Sequence, residues 1–268
     1  MTIRHNRSGR LRRTTARAMI AAALVALAGL PGAAEAASRG SAEHVNASCA
    51  RDAGSTINVL HAGSLTTLVQ LSLAPLFHAA CGATATDQGG PAVGVADAIK
   101  DGSLAGDVYM SADAHVNQTL IGPENGDWVR WYLAFARNQE VISYTPASRF
   151  YAELERARLG EVPWYEVLSE PGFVLGRTDP NTDPGGYFAL FVAGLAQRYY
   201  GIAGLKQRLL GSDTNPDQLL TPPAFTTTAS GTVPDATFGY VSSAVDKGLH
   251  YIALPPQINL SDPRLARF

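Results

Sequence analysis

The chain has 268 residues, 46% hydrophobic and 16% charged, which is typical of a globular protein with one large or two modest cores. Its formal net charge is −2. Without residues 1–36, interpreted below as a leader, 15 basic and 22 acidic residues remain, a net charge of −7. This balance excludes the basic surface that nucleic acid or an anionic membrane requires, so we expect no nucleic-acid partner.

The first 36 residues have the features of a secretory signal peptide. Arginines are dense up to Arg17, an apolar run covers residues 18–30, and a small-x-small cleavage site ends at Ala36. The apolar run is short for a membrane span, which needs about 20 residues. The pair Arg12-Arg13 leaves both the general secretory route and the twin-arginine route open. We therefore predict an exported, periplasmic protein with signal peptide 1–36.

The only two cysteines are Cys49 and Cys81. Export places them in an oxidising compartment, where paired cysteines form disulfides. A bridge between them would close a long loop and contribute about 3–4 kcal/mol in the chain-entropy model. We interpret the pair as a structural disulfide and not as a metal site.

The first half of the chain alternates strand and helix patterns, which predicts a parallel sheet with helical crossovers. The apolar run Ile57 to Leu60 indicates a buried strand, and Leu65, Leu68 and Leu73 then recur at helical spacing. The later elements predicted here are a strand at 83–87, a helix from Ala92 to about 101 and a strand at 107–111.

The second half predicts a further α/β unit. Residues 135–144 resemble one long strand that crosses into a second lobe, and the turn-rich segment 179–186 opens onto a helix that reaches Tyr200. The remaining predicted elements are helical residues 151–168 with a break at Pro163, strands at 172–175, 236–240 and 251–254, and helices at 204–210 and 241–248.

The turn Gly63-Ser64 is the first candidate for a binding function. A serine at a helix start often serves only as an ordinary cap. The same position also leaves backbone N–H groups unpaired at the positive end of the helix dipole, where an anion binds. The turn alone leaves both interpretations open.

Five stretches together resemble the periplasmic proteins that deliver molybdate and tungstate to ABC transporters, in particular the branch with carboxylates in its site. They are Leu60-His61-Ala62-Gly63-Ser64-Leu65-Thr66, Asp107 to Asp113, Phe135-Ala136-Arg137-Asn138 with Tyr144-Thr145, Asp179 to Tyr187, and Leu254-Pro255 to Pro263. The resemblance implies a two-lobe periplasmic-binding-protein fold of type II, α/β in class, with parallel sheets flanked by helices. It places lobe 1 at 37–140 and lobe 2 at 141–268.

The resemblance also implies the ligand-binding residues and a role for one carboxylate. Asp183 would be a ligand to the molybdenum or tungsten of the oxyanion, although the same aspartate would serve equally as an N-cap. No other cofactor is implied. The implied ligand-binding residues are Gly63, Ser64, Ala92, Asp183, Pro184, Gly185, Gly239, Tyr240 and Gln257.

The sequence departs from the family pattern at several of these positions. Ala92 stands where the family has a serine, and Gly239 and Gln257 each stand where it has a glutamate. These losses favour a tetrahedral oxyanion held by hydrogen bonds over expanded metal coordination. The segment that returns to lobe 1 in the family is missing after Pro263, so we expect looser closure.

The leading hypothesis is a monomeric, non-enzymatic protein that captures molybdate or tungstate for a membrane ABC permease. One alternative is a truncated relative with lost or changed specificity, such as sulfate or phosphate. The other is a hydrolase with Ser64 as nucleophile, His61 as base and Asp113 as the third member. The Gly-x-Ser-x-Gly elbow is absent, because Thr66 follows where its second glycine would stand.

Overall fold

The first sheet of the computed structural model has three parallel strands in the order β2-β1-β3. The structure describes Cys49, residues 53–262 and Arg264. Strand β1 (Thr56–Ala62) lies in the middle; its residues Val59 to Ala62 are buried, whereas no residue of its two neighbours is. Its neighbours are β2 (Thr84–Gly90) and β3 (Val108–Met110). The predicted parallel arrangement is therefore confirmed.

Helix α1 (Gly63–Cys81) connects β1 to β2. It opens with a 3-10 turn at Gly63–Leu65 and contains a π-helical segment at Val69–Leu73. It is the one helix in the described part of the chain that is long and apolar enough to cross a membrane, and most of it is exposed, including Leu71 at 74%. One such helix is weak support for a membrane span. Its last residue, Cys81, forms the predicted disulfide with Cys49.

Two further helices follow strands of the first sheet. Helix α2 (Ala92–Lys100) follows β2, and helix α3 (Ala114–Gln118) follows β3. They bury Ala96, Val116 and Leu120 in a small apolar cluster. All three strands end at the same edge of the sheet, since parallel strands share their direction, so the turns after Ala62, Gly90 and Met110 lie along that edge.

The second sheet has four strands in the order β5-β6-β4-β7 and is mixed. Its central strand β4 (Glu140–Tyr144), buried along its whole length, is antiparallel to both neighbours, while β5 and β6 are parallel. The other strands are β5 (Leu175–Gly176), β6 (Ala236–Tyr240) and β7 (His250–Ala253).

Five helices pack around this sheet, and all of them except Val241–Asp246 contribute side chains to the larger apolar core. The longest of the five begins at Pro184, inside the predicted turn-rich segment 179–186, and buries Ala189, Val192 and Ala193 in the core. The five are α4 (Tyr151–Arg158), α5 (Trp164–Val167), α6 (Pro184–Tyr200), α7 (Leu205–Leu210) and α8 (Val241–Asp246).

Two predicted strands are longer in the sequence than in the structure. The predicted strand 135–144 begins only at Glu140, because its partner residue Tyr240 is the last of β6. Gln139 still accepts a backbone hydrogen bond of 3.0 Å from Val241, but no strand of the described chain pairs with residues 135–139. Residues 128–139 form neither helix nor strand, and Trp131 and Leu133 are exposed there. The predicted strand 172–175 is reduced to Leu175–Gly176 for the same reason, since only these residues pair with β6. The predicted signal peptide, residues 1–36, lies outside the described residues.

Candidate functional site

The start of helix α6 is the centre of the candidate site. Asp183 is its N-cap, with extended backbone, and the carboxylate accepts a hydrogen bond of 3.4 Å from the Gly185 amide. Pro184 occupies the first turn, where its missing N–H is no loss. Asp183 therefore has the capping role that composition alone suggested, and this role leaves its second oxygen available.

Three polar atoms surround the side of Gly185 on which a side chain would stand. A Cβ built on Gly185 would lie 3.1 Å from Thr178 Oγ1, 3.8 Å from Asp183 Oδ2 and 4.0 Å from Tyr240 Oη. Both hydroxyl oxygens are buried, and neither has a hydrogen-bond partner within the described residues. A buried hydroxyl without a hydrogen-bond partner destabilises a fold, so we expect both hydroxyls to bind a ligand at this point.

Glu140 adds a carboxyl group beside these atoms. It is 1% exposed, and neither of its side-chain oxygens has a partner within the described residues. It lies directly opposite Tyr240 in the antiparallel pair β4–β6, so the two side chains project from the same face. Burial, and next the nearby negative charge of Asp183, raise the pKa of Glu140 to about 8.

Burial also raises the pKa values of the two other titratable groups of the site, Asp183 and Tyr240. Burial raises the pKa of Asp183, although the Gly185 amide and the nearby Thr178 hydroxyl oppose this effect. The Thr178 hydroxyl does so without meeting the geometry of a hydrogen bond to Asp183. Burial likewise raises the pKa of Tyr240 well above its usual range, followed by the charges of Glu140 and Asp183. Tyr240 therefore keeps its hydroxyl proton at neutral pH and can donate it to a ligand.

Two contacts join this site to the carboxyl edge of the first sheet. The Gly94 amide in the first turn of α2 donates a hydrogen bond of 3.2 Å to the carbonyl of Thr182. Tyr187 Oη in α6 donates one of 2.6 Å to Asp113 Oδ2, just after β3. The start of α6 thus faces the turns that follow β2 and β3.

The sequence-predicted residues of the first sheet lie along that edge. Ala92 is buried at the start of α2, and its carbonyl accepts the hydroxyl of Tyr109. Ser64 is half-buried inside the 3-10 turn and does not cap the helix, because the N-cap is Ala62. A Cβ at Gly63 would meet only Gly90 O, at 3.8 Å, so the fold itself does not require glycine there. Contact of Gly63 and Ser64 with a ligand stays a prediction.

The predicted residues of the second sheet divide into two groups. Asp183, Pro184, Gly185 and Tyr240 come together as described above. Gly239 precedes Tyr240 in β6, and a Cβ on it would touch nothing within 4 Å. Gln257 is exposed in the turn after β7, and no described contact connects it to Asp183.

The candidate catalytic residues have other partners. His61 is fully buried, with Nε2 at 3.0 Å from Asp87 Oδ2 and Nδ1 at 2.9 Å from the Ala62 carbonyl. Asp113 accepts the Tyr187 hydroxyl and caps α3. No described hydrogen bond connects Ser64, His61 and Asp113, so a serine triad is not assembled. Among the described residues, no three His, Cys, Asp or Glu side chains cluster as a metal site.

Sequence reasoning missed Glu140, Thr178 and Tyr187. Glu140 lies in the middle of the predicted strand 135–144, where a charged side chain is expected to face solvent. Only its pairing with Tyr240, far away in the chain, shows that it is buried. The available signal for Thr178 was its position just before the turn cluster at Asp179.

The family comparison identifies the class of protein. Residues 57–267 match the model of the bacterial extracellular solute-binding proteins, and the chain belongs to this family. An uncharacterized solute-binding protein of Petrotoga mobilis is 34% identical over 226 residues, covering 82% of this chain and 66% of that protein. The molybdate/tungstate-binding protein WtpA of Thermococcus kodakarensis is 30% identical over 177 residues, 58% of this chain and 48% of that protein.

Solved structures confirm the two-lobe fold. The periplasmic molybdate-binding protein of Azotobacter vinelandii matches with a TM-score of 0.52 and 16% identity, over 76% of this chain and 81% of that one. The sulfate-binding protein SubI of Mycobacterium tuberculosis also matches with a TM-score of 0.52, at 12% identity, over 79% and 78%. The chain spans about half to two thirds of the length of the curated relatives it matches.

Proposed function

We propose that this protein captures a tetrahedral oxyanion, molybdate or tungstate, and delivers it to an ABC permease in the membrane. The observation that carries the proposal is the set of buried groups around Gly185. Thr178 and Tyr240 offer two hydroxyl protons without partners, at the start of a 17-residue helix whose dipole favours negative charge. The name of the Thermococcus relative supports the choice of ligand.

The proposal includes the setting in which the protein works. Membership in an extracellular family supports an exported, periplasmic protein. We also propose that it works as a monomer and, given its acidic balance, binds no nucleic acid. In addition, we propose the division into lobes at 37–140 and 141–268, with the site between them. Finally, we propose that the protein is not an enzyme, since His61 and Asp113 form hydrogen bonds with other side chains of the described chain and not with Ser64.

Titration calorimetry with molybdate, tungstate, sulfate and phosphate tests the proposal. We expect heat and one-to-one saturation with molybdate or tungstate. Saturation with sulfate or phosphate alone would support the alternative of changed specificity. A chain that binds none of the four while remaining folded would contradict oxyanion capture.

Replacing Ser64 with alanine tests whether the turn after β1 belongs to the site. If its hydroxyl donates to the bound anion, Ser64→Ala weakens binding by about 1–3 kcal/mol, the range for a hydrogen bond to a charged group. Because Ser64 does not cap the helix, the free energy of unfolding should change little. Unchanged affinity in the calorimeter would remove Ser64 from the site.

Adding a methyl group at Gly185 tests the part of the site formed by the start of α6. The new Cβ of Gly185→Ala would occupy the point that Thr178 Oγ1, Asp183 Oδ2 and Tyr240 Oη surround. We expect at least tenfold weaker binding, or about 1.4 kcal/mol. Gly194→Ala is the matched control, because it adds a methyl to the same helix with nothing within 4 Å. Equal affinities of the two variants would place the ligand elsewhere.

A further inference from the structure

Glu140 is the one carboxyl group of the site that lacks a hydrogen-bond donor. Asp183 accepts the Gly185 amide and lies at the positive end of the α6 dipole, which favours its ionised form. Glu140 is fully buried in β4, and both of its oxygens lack partners within the described residues. Two neighbouring buried carboxyls do not both ionise, so the proton resides on the one with less support.

From this geometry we infer that Glu140 is a ligand-binding residue. Its neutral carboxyl donates a hydrogen bond to the bound oxyanion, which makes capture dependent on pH. The inference rests on the proposed function. It follows from position, since Glu140 projects beside Tyr240, whose hydroxyl reaches the free side of Gly185. A neutral carboxyl there supplies a third side-chain donor next to the Thr178 and Tyr240 hydroxyls, without repelling the anion.

The groups around Glu140 do not account for such a pH dependence themselves. Tyr240 lies opposite Glu140 on β6. Tyr187 on α6 and Tyr109 on β3 interact with the charge of Asp183. Burial raises the pKa of each phenol. Asp183 from the start of α6 and Asp113 after β3 are the acidic groups. Next to Glu140, the Asn259 amide donates to Gln139 Oε1, and neither of these side chains titrates. Between pH 7 and 9, Glu140 is therefore the group that changes charge.

Ionisation of Glu140 would replace a donor with a negative charge that repels the anion. With its pKa raised to about 8, the neutral fraction falls by about tenfold between pH 7 and 9, and affinity falls with it. The probe is tungstate, which keeps both negative charges over this range. Phosphate would change its own protonation and obscure the effect.

The test is calorimetric titration of tungstate into the full chain at pH 6, 7, 8 and 9. We expect the wild type to lose about tenfold in affinity from pH 7 to 9. Glu140→Gln, whose amide keeps a donor and does not titrate, should lose less than about twofold. Glu170→Gln changes an exposed carboxyl in the same way and should behave like the wild type.

The outcomes separate the inference from the proposed function. Tungstate binding with the same affinity at all four pH values overturns the inference and leaves the proposed function standing. So does a tenfold loss that persists in folded Glu140→Gln. If that variant does not fold, the wild-type profile alone decides. Failure of the wild type to bind molybdate, tungstate, sulfate or phosphate at pH 6 overturns both.

Discussion

Glu140→Gln is expected to increase the free energy of unfolding strongly at pH 8 and only slightly at pH 5. The pKa of Glu140 is raised from an ordinary value of 4.5 to about 8, mainly by burial and then by Asp183. A raised pKa means that the folded state holds a proton that the unfolded chain has released. Its contribution to stability is complete below pH 4.5 and is lost as the pH rises to about 8.

The size of this effect follows from linkage. A difference of three to four pKa units corresponds to about 4–5 kcal/mol of stability lost across the window. Glutamine resembles the neutral acid in shape and has no proton to lose, so the variant keeps its stability as the pH rises.

Urea unfolding at pH 5 and pH 8 measures the difference between wild type and variant. It should be under about 1 kcal/mol at pH 5 and several kcal/mol at pH 8. Glu170→Gln, at an exposed position, controls for the general change of net charge. A difference of the same size at both pH values would show that Glu140 is already ionised in the folded protein.

Arg177→Met is expected to be the most destabilising substitution near the site. Arg177 is fully buried, and its guanidinium donates to the carbonyls of Ser212 and Asp213 and to Gln218 Oε1. Burial lowers the pKa of Arg177. Methionine would remove the donor from all three acceptors, of which Gln218 Oε1 belongs to a buried side chain, at a cost of about 3–5 kcal/mol.

The loss of these hydrogen bonds is expected to displace Thr178 in the site, because Arg177 directly precedes it. We therefore expect Arg177→Met to weaken oxyanion binding as well as folding. Arg156→Met is the control, since Arg156 pairs with Glu161 at 3.4 Å on the surface, where both side chains are more than half exposed. Such a pair contributes at most about 1 kcal/mol. Thermal unfolding that ranks the two variants equally would contradict the role assigned to Arg177.

The sequence predicted those parts of the fold that local patterns determine. The strand at Val59 and Leu60 is an apolar run between turn residues, and the start of α6 follows a dense cluster of turn residues before Pro184. In both cases the signal lies within a few residues. The turn at Asp183 is likewise predicted by its own residues, whereas Tyr240 is implied as a site residue only by the family resemblance.

What the sequence could not supply depends on partners distant in the chain. Residues 135–139 have a strand-like pattern but no strand beside them, so pairing begins at Glu140. The burial of Glu140 depends on Tyr240, one hundred residues later. Thr178 is an ordinary threonine in sequence, and only its approach to Gly185 shows its position in the site.

The most direct measurement is the position of tungsten in a crystal of the protein grown with tungstate, located by anomalous diffraction. We expect one strong peak in contact with the group formed by Thr178, Asp183, Gly185 and Tyr240, facing the first turn of α2. A peak bound elsewhere on the chain, or no ordered tungsten at a saturating concentration, would contradict this assignment of the site.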